Sequence, residues 1–224
     1  MSLGKETTAF GELYSAYAAG CLDPAFALLV ETQAALRNDI AEAVHRGEVI
    51  AAAMLEAEPP AAMRNDAVER ALAAIEELDV DEGLNGHAAD VASGGLTEIV
   101  DLPSPLRDRV IDTMERQSWQ FTTPGIRRLT LETGGDAETE LYRLEPGVTV
   151  PRHTHAGSEF TLVVTGRFAD ETGSYGPGDL SVKGPEHVHR PVADMGEVCY
   201  ALSVRDGGLK FTGVIGAVQR ILGG

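Results

Sequence analysis

Two hydrophobic periods divide this chain. Up to about residue 82, apolar positions recur every three to four residues, the spacing of one helix face. Phe10, Leu13, Tyr14 and Tyr17 share one side of a first short helix, which Gly20 ends. Asp23 and Pro24 then supply an N-cap and a first helical position. The stripe Phe26, Leu29, Val30, Leu36, Ile40 and Val44 carries that second helix to His45. Val49 to Leu55 predicts more helix, either continuing the second or standing alone. Pro59-Pro60 breaks the chain, and Val68, Leu72, Ile75 and Leu78 mark a further amphipathic helix beyond it.

From Asp79 to about Pro105 the periodicity dissolves into glycine and acidic residues, the composition of a linker. After Trp119 the pattern becomes short apolar runs broken by turn residues, among them IRRLTLET, TELYRLEP, EFTLVVTGRF, DLSVK, EVCYALSV and LKFTGV. Runs at such regular spacing predict a small antiparallel barrel or sandwich. The expected fold is therefore α+β in two domains. A helical bundle spans 1–82, a linker 83–118, and a β-domain 119–224.

Within the β-domain one segment carries chemistry. Gly147 to Gly166 reads GVTVPRHTHAGSEFTLVVTG. His153 and His155 are two apart, so on a strand both face the same way. Glu159 follows a short Ala156-Gly157-Ser158 turn and opens the next strand. Four of the chain's six histidines fall within 37 residues, and a further donor comes from His187 or His189. Strand alternation places both of these on one face, so spacing alone leaves that choice open. Imidazole and carboxylate donors suit one divalent metal per chain, with zinc, iron, manganese and nickel all compatible.

Charge changes the picture in the first half. The formal net charge is −17. Residues 1–100 hold 18 acidic against 5 basic side chains, and residues 101–224 hold 17 against 13. Direct nucleic-acid binding is not expected from such a surface. Docking onto a basic protein is one use of the acidic half, and plain helix solubility is the other. No apolar run approaches the roughly 18 to 20 residues that span a bilayer. No basic stretch leads into an apolar core near Met1, so no secretory signal is expected. Cys21 and Cys199 have no pairing pattern, which suits a reducing cytoplasm.

The segment from Gly147 to Gly166 resembles the first motif of the cupin superfamily, met in full by Gly147, His153, His155, Glu159 and Gly166. The second cupin motif is met loosely, through the turn Gly176-Pro177-Gly178. Two further stretches resemble ChrR-type anti-sigma factors. These are LYSAYAAG followed by LDPAFALLVETQAAL, and HTHAGSEFTLVVTGRFADETGSYGPGD followed by HRPVADMGEVCYAL. That resemblance implies a cupin β-barrel (jelly roll) for the second half and points to His189, ahead of Arg190-Pro191-Val192, as the fourth ligand. His187 is then a rim or supporting residue. It also implies that the acidic helical half clamps an extracytoplasmic-function (ECF) type sigma factor in the cytoplasm. The metal cupin would sense an oxidative-type signal and trigger release.

The chain departs from the family in its first half. Relatives carry a zinc site there, and the corresponding positions are Thr8, Gln33, Arg37 and Ile40, none a zinc donor. No metal is expected in that half, and apolar packing alone is expected to hold its helices. A different protein partner or a homodimer is compatible with the same surface. The competing expectation is a cupin metalloenzyme, dioxygenase-like or hydrolase-like, with Tyr142, Arg143, Tyr175 and Arg190 as pocket candidates. No general base stands out. A redox role for Cys199 competes with an inert place in the core.

Overall fold

The computed structural model of the protein describes residues 3–76, 96–206 and 209–211. Six helices come first: α1 (Leu3–Ala18), α2 (Pro24–Leu36), α3 (Asn38–Ala57), α4 (Ala67–Glu76), α5 (Leu96–Val100) and α6 (Ser104–Met114). Eleven strands follow: β1 (Gln120–Thr123), β2 (Ile126–Thr130), β3 (Glu138–Leu144), β4 (His153–His155), β5 (Glu159–Thr165), β6 (Phe168–Asp170), β7 (Gly173–Tyr175), β8 (Leu180–Lys183), β9 (Val192–Ala193), β10 (Cys199–Arg205) and β11 (Leu209–Phe211). The α+β layout, helices first and antiparallel sheets second, is the one the periodicity predicts.

The predicted helix from Pro24 to His45 is in fact two. Arg37 takes an extended backbone, φ −134° and ψ 111°, and separates α2 from α3. Its guanidinium binds Asp39 at 2.7 Å and Asp179 of the β-half at 3.2 Å. The break therefore bends the chain to meet the barrel, and Val49 to Leu55 continues α3. Asp23 accepts from Ala25 N and caps α2. Leu29 and Val30 are fully buried, with Tyr14, Tyr17, Phe26, Leu36 and Ile40 half-buried against them. The side chain of Phe10, and Leu78 as a whole, lie outside the described residues.

The linker expectation also needs correcting over its second part. Residues 96–114 form α5 and α6, and Leu106 and Val110 are fully buried. Pro105 stops no helix, because it occupies the first turn of α6, where its missing N–H costs nothing. Apolar residues at 106 and 110 lie one turn apart and face α2.

The main sheet has strand order β1-β2-β3-β10-β5-β8, all antiparallel neighbours. Alternation gives it two different faces. Leu129, Leu141, Leu162, Leu202 and Val204 point outward into one core shared with α2 and α6. Ile126, Leu144 and Val163 point the other way, into a second core with Phe168 and Ala193 from the small sheet β7-β6-β9. All seven residues of β10 are buried, since it has protein on both faces.

Candidate metal centre

Two strands and one bridge aim four side chains at a single point. His153 and His155 project from one face of β4, and Glu159 begins β5. The turn between them is tight. A Cβ on Gly157 would lie 2.1 Å from Asp206 Oδ1, so only glycine leaves room for Asp206 to accept from Ser158 N. His189 joins through reciprocal backbone bonds with His153, 3.1 and 3.0 Å long. All four residues are buried, and one donor atom from each lies within 4.8 Å of every other. The cluster can hold one metal ion.

The donor chemistry supports that fit. His189 Nδ1 lies 3.0 Å from Asp170 Oδ2, and His153 Nδ1 lies 2.7 Å from the Pro151 carbonyl. Both partners only accept, so both Nδ1 atoms carry the proton. Their Nε2 atoms are then bare lone pairs, yet they face each other at 2.9 Å. His155 Nε2 stands 3.1 Å from His189 Nε2 and 3.4 Å from Glu159 Oε2. Lone pairs this close repel unless a cation sits among them. Burial lowers the pKa of His153, and it lowers that of His155 to about 4, which keeps both neutral and able to donate.

A second ring of residues orients the first. Ser203 donates to Glu159 Oε1 at 2.9 Å, which turns Oε2 towards the histidines. Asp170, whose side chain is fully buried, also binds Lys183 at 3.2 Å and accepts from Thr172 and Gly173. Burial pushes its carboxyl up, but the His189 and Thr172 bonds and the Lys183 charge outweigh that and hold it well below the usual range. Arg205 lies 3.7 Å from Glu159 Oε1 and is otherwise held by Glu138 and Glu140. His155 Nδ1 is the one cluster nitrogen left without a partner among the described residues.

His187 stands apart from the cluster. Alternation fails for it because residues 184–188 form no strand, and its Nδ1 accepts from Gly184 N at 2.9 Å instead. Of the four pocket candidates, only Tyr142 lines the cavity beside the cluster. Arg143 pairs with Glu98, Tyr175 packs on Phe168, and Arg190 is exposed. Sequence reasoning missed Asp170, Ser203 and Arg205. The parity of β10 could have found the last two, since both share a face with Ala201.

Comparison with known proteins fits this geometry. Residues 107–205 match the family described as the ChrR cupin-like domain. The anti-sigma-E factor ChrR of Cereibacter sphaeroides is 32% identical over 199 residues, covering 89% of each chain. The chain belongs to the ChrR family of anti-sigma factors. A crystal structure of Rhodobacter sphaeroides SigE in complex with the anti-sigma ChrR aligns with TM-score 0.68 and 31% identity. That match covers 88% of this chain and 96% of the other.

In this ChrR-family chain, Gln33 and Arg37, two of the positions where the resemblance led one to look for zinc donors, make polar contacts. Gln33 is buried, accepts from Tyr14 OH at 2.8 Å and donates to the Gly178 carbonyl at 3.0 Å. Arg37 crosses to Asp179 beside it. Gly178 has φ +82°, and a Cβ there would lie 2.5 Å from Arg37 Cγ, so the turn needs glycine twice over. Apolar packing alone therefore does not hold this half. Polar bonds fasten α2 to the barrel.

Proposed function

We propose that the protein is an anti-sigma factor that sequesters an ECF-type sigma factor through its helical half. The observation that carries this reading is the match, along nearly the whole of both chains, to an anti-sigma protein solved with its sigma factor. The surface agrees with it. Val68, Leu72 and Ile75 of α4 are 62%, 56% and 62% exposed, and α4 buries no residue. Val49, Ile50 and Met54 of α3 are exposed as well. An apolar stripe set among acidic residues fits a partner with apolar and basic surfaces. We assign the clamp to residues 1–82 and the sensor to 119–224, with 83–118 joining them. The site of action is the cytoplasm, where sigma factors meet RNA polymerase.

His153, His155, Glu159 and His189 are the ligands in this reading, and zinc is the metal that best suits three imidazoles and a carboxylate. When bound, it supplies a fixed charge that locks β4, β5 and the His189 segment together. Glu159 is followed directly by Phe160, whose ring packs edge-on against Phe26 of α2 at 5.2 Å. A change at Glu159 therefore bears on the helix that anchors the clamp. Release follows an oxidative-type signal at this centre.

The test mixes the full chain with each ECF-type sigma factor of its own organism. One of them should form a stable one-to-one complex on gel filtration and lose transcription by RNA polymerase in its presence. Failure with every such sigma factor would overturn the reading.

A further inference from the structure

Beside the metal cluster lies a cavity of about 730 Å³ that neither the clamp nor the metal explains. Its size is that of a small-molecule site. His153, Glu159 and His189 form part of its wall, so it opens onto the cluster. Ile126, Leu144, Val150, Phe168 and Ala201 make one side apolar. Arg128, Glu138, Tyr142, Thr161, Ser203 and Arg205 make the other side polar.

The polar wall is built, not incidental. Arg205 has a side chain only 4% exposed, and its Nε–H finds no acceptor among the described residues. Glu138, Glu140 and the Tyr142 hydroxyl fix the guanidinium in the wall. The charges around the cavity also fail to cancel once a divalent cation sits at the cluster. Arg128, Arg205 and the cation face three carboxylates, Glu138, Glu140 and Glu159, which leaves one positive charge in excess. This charge balance rests on the metal reading above.

We propose that the cavity binds a monocarboxylate with an apolar body. The carboxylate lies on the Arg205 side and the body lies against Ile126, Leu144 and Phe168. The single negative charge balances the excess. Phe121, 70% exposed on β1, stands at the cavity wall and covers the apolar body. Occupancy would give the sensor a second input, independent of oxidation.

Isothermal titration of the full, metal-loaded chain with hexanoate, octanoate and decanoate tests this, with 1-octanol and 1-decanol as uncharged controls. Metal content is measured on the same sample. The expected result is saturable binding of the carboxylates, tightening with chain length, and at least tenfold weaker binding of each alcohol. Thr161→Phe, which fills the cavity without touching the ion network, should weaken decanoate at least tenfold while keeping its metal. Arg205→Met should lose the preference for the carboxylate if it folds, and Thr161→Phe stands in if it does not. Metal-loaded protein that binds none of the carboxylates, or binds the alcohols equally well, overturns the inference alone. Protein that takes up no metal overturns the metal reading and removes the charge argument with it.

Discussion

Strand β10 and helix α4 sit at opposite extremes of one molecule. Every residue of β10 is buried, with helices on one side and the metal-side cavity on the other. Helix α4 buries nothing, although it carries as clear an apolar stripe as any helix here. Burying apolar area contributes about 25 cal/mol per Å², and α4 gains little of it among the described residues. Every β10 residue is covered by its own chain, whereas the α4 stripe stays exposed among the described residues. The same kind of stripe is core in α2 and exposed in α4, and only tertiary context separates the two.

The largest effect expected from this contrast is at the barrel. His155→Ala or Glu159→Gln should abolish metal uptake, read as metal per chain by elemental analysis. A ligand held at about a thousandfold above its dissociation constant adds ~4 kcal/mol. Its loss should lower the Tm by about 10 °C for a chain of this size. Retention of one metal per chain by either variant would break the assigned ligand set.

The next effect belongs to α4. Leu72→Asp with Ile75→Asp should weaken the sigma-factor complex by about a hundredfold or more, as charge enters an apolar contact. Stability should stay within about 0.5 kcal/mol of the parent, since exposed positions cost little. A large fall in Tm for this variant would show that α4 packs within the chain after all and would erase the contrast.

Between the extremes lies the seam, where α2 belongs to both halves. Phe26 meets Phe160 edge-on, Gln33 reaches the Gly178 carbonyl, and Asp23 accepts from Asp136 N at 2.9 Å. A double-mutant cycle of Phe26→Leu and Phe160→Leu, followed by chemical denaturation, should give a coupling of about 1 kcal/mol. Additive single effects would separate the two halves energetically and leave the metal no route to the clamp through this contact.

How much of this was legible in the sequence depends on how local each signal is. The pair His153 and His155 with Glu159 is a short-range pattern, and the structure brings the three together. His189 is long-range. Strand alternation could not separate it from His187, and residues 184–188 form no strand, so only the family pattern singled out the histidine that lies in the cluster. The split at Arg37 was hidden because nothing in the helical period interrupts there. At the split Arg37 meets Asp179, more than a hundred residues away, a contact no local pattern announces. Helices α5 and α6 were overlooked because Pro103 and Pro105 read as breakers, although Leu106 and Val110 carried helical spacing. Asp170 had no local signature at all, and the parity that puts Arg205 on the Ala201 face of β10 says nothing of the histidines. Their roles exist only once β6 and β10 are brought against the histidines.

The smallest effect tests the same contrast with the two cysteines. Cys21 lies in the turn after α1 and is exposed, while Cys199 opens β10 and is buried. Burial, with the Glu197 charge nearby, pushes the Cys199 thiol up to about 12, so almost no thiolate forms at neutral pH. Its neighbours are Ile126, Leu144 and Val163, an apolar setting with no cation to favour ionisation. A thiol reagent at pH 7.5 should therefore label one cysteine quickly and the second only after denaturant is added. Cys21→Ser should remove the fast phase entirely and leave stability within about 0.5 kcal/mol. Fast labelling of Cys199 in the native protein would mean that the barrel opens at the Cys199 end of β10 on the timescale of the reaction. The contrast between a covered β10 and an exposed α4 would then weaken.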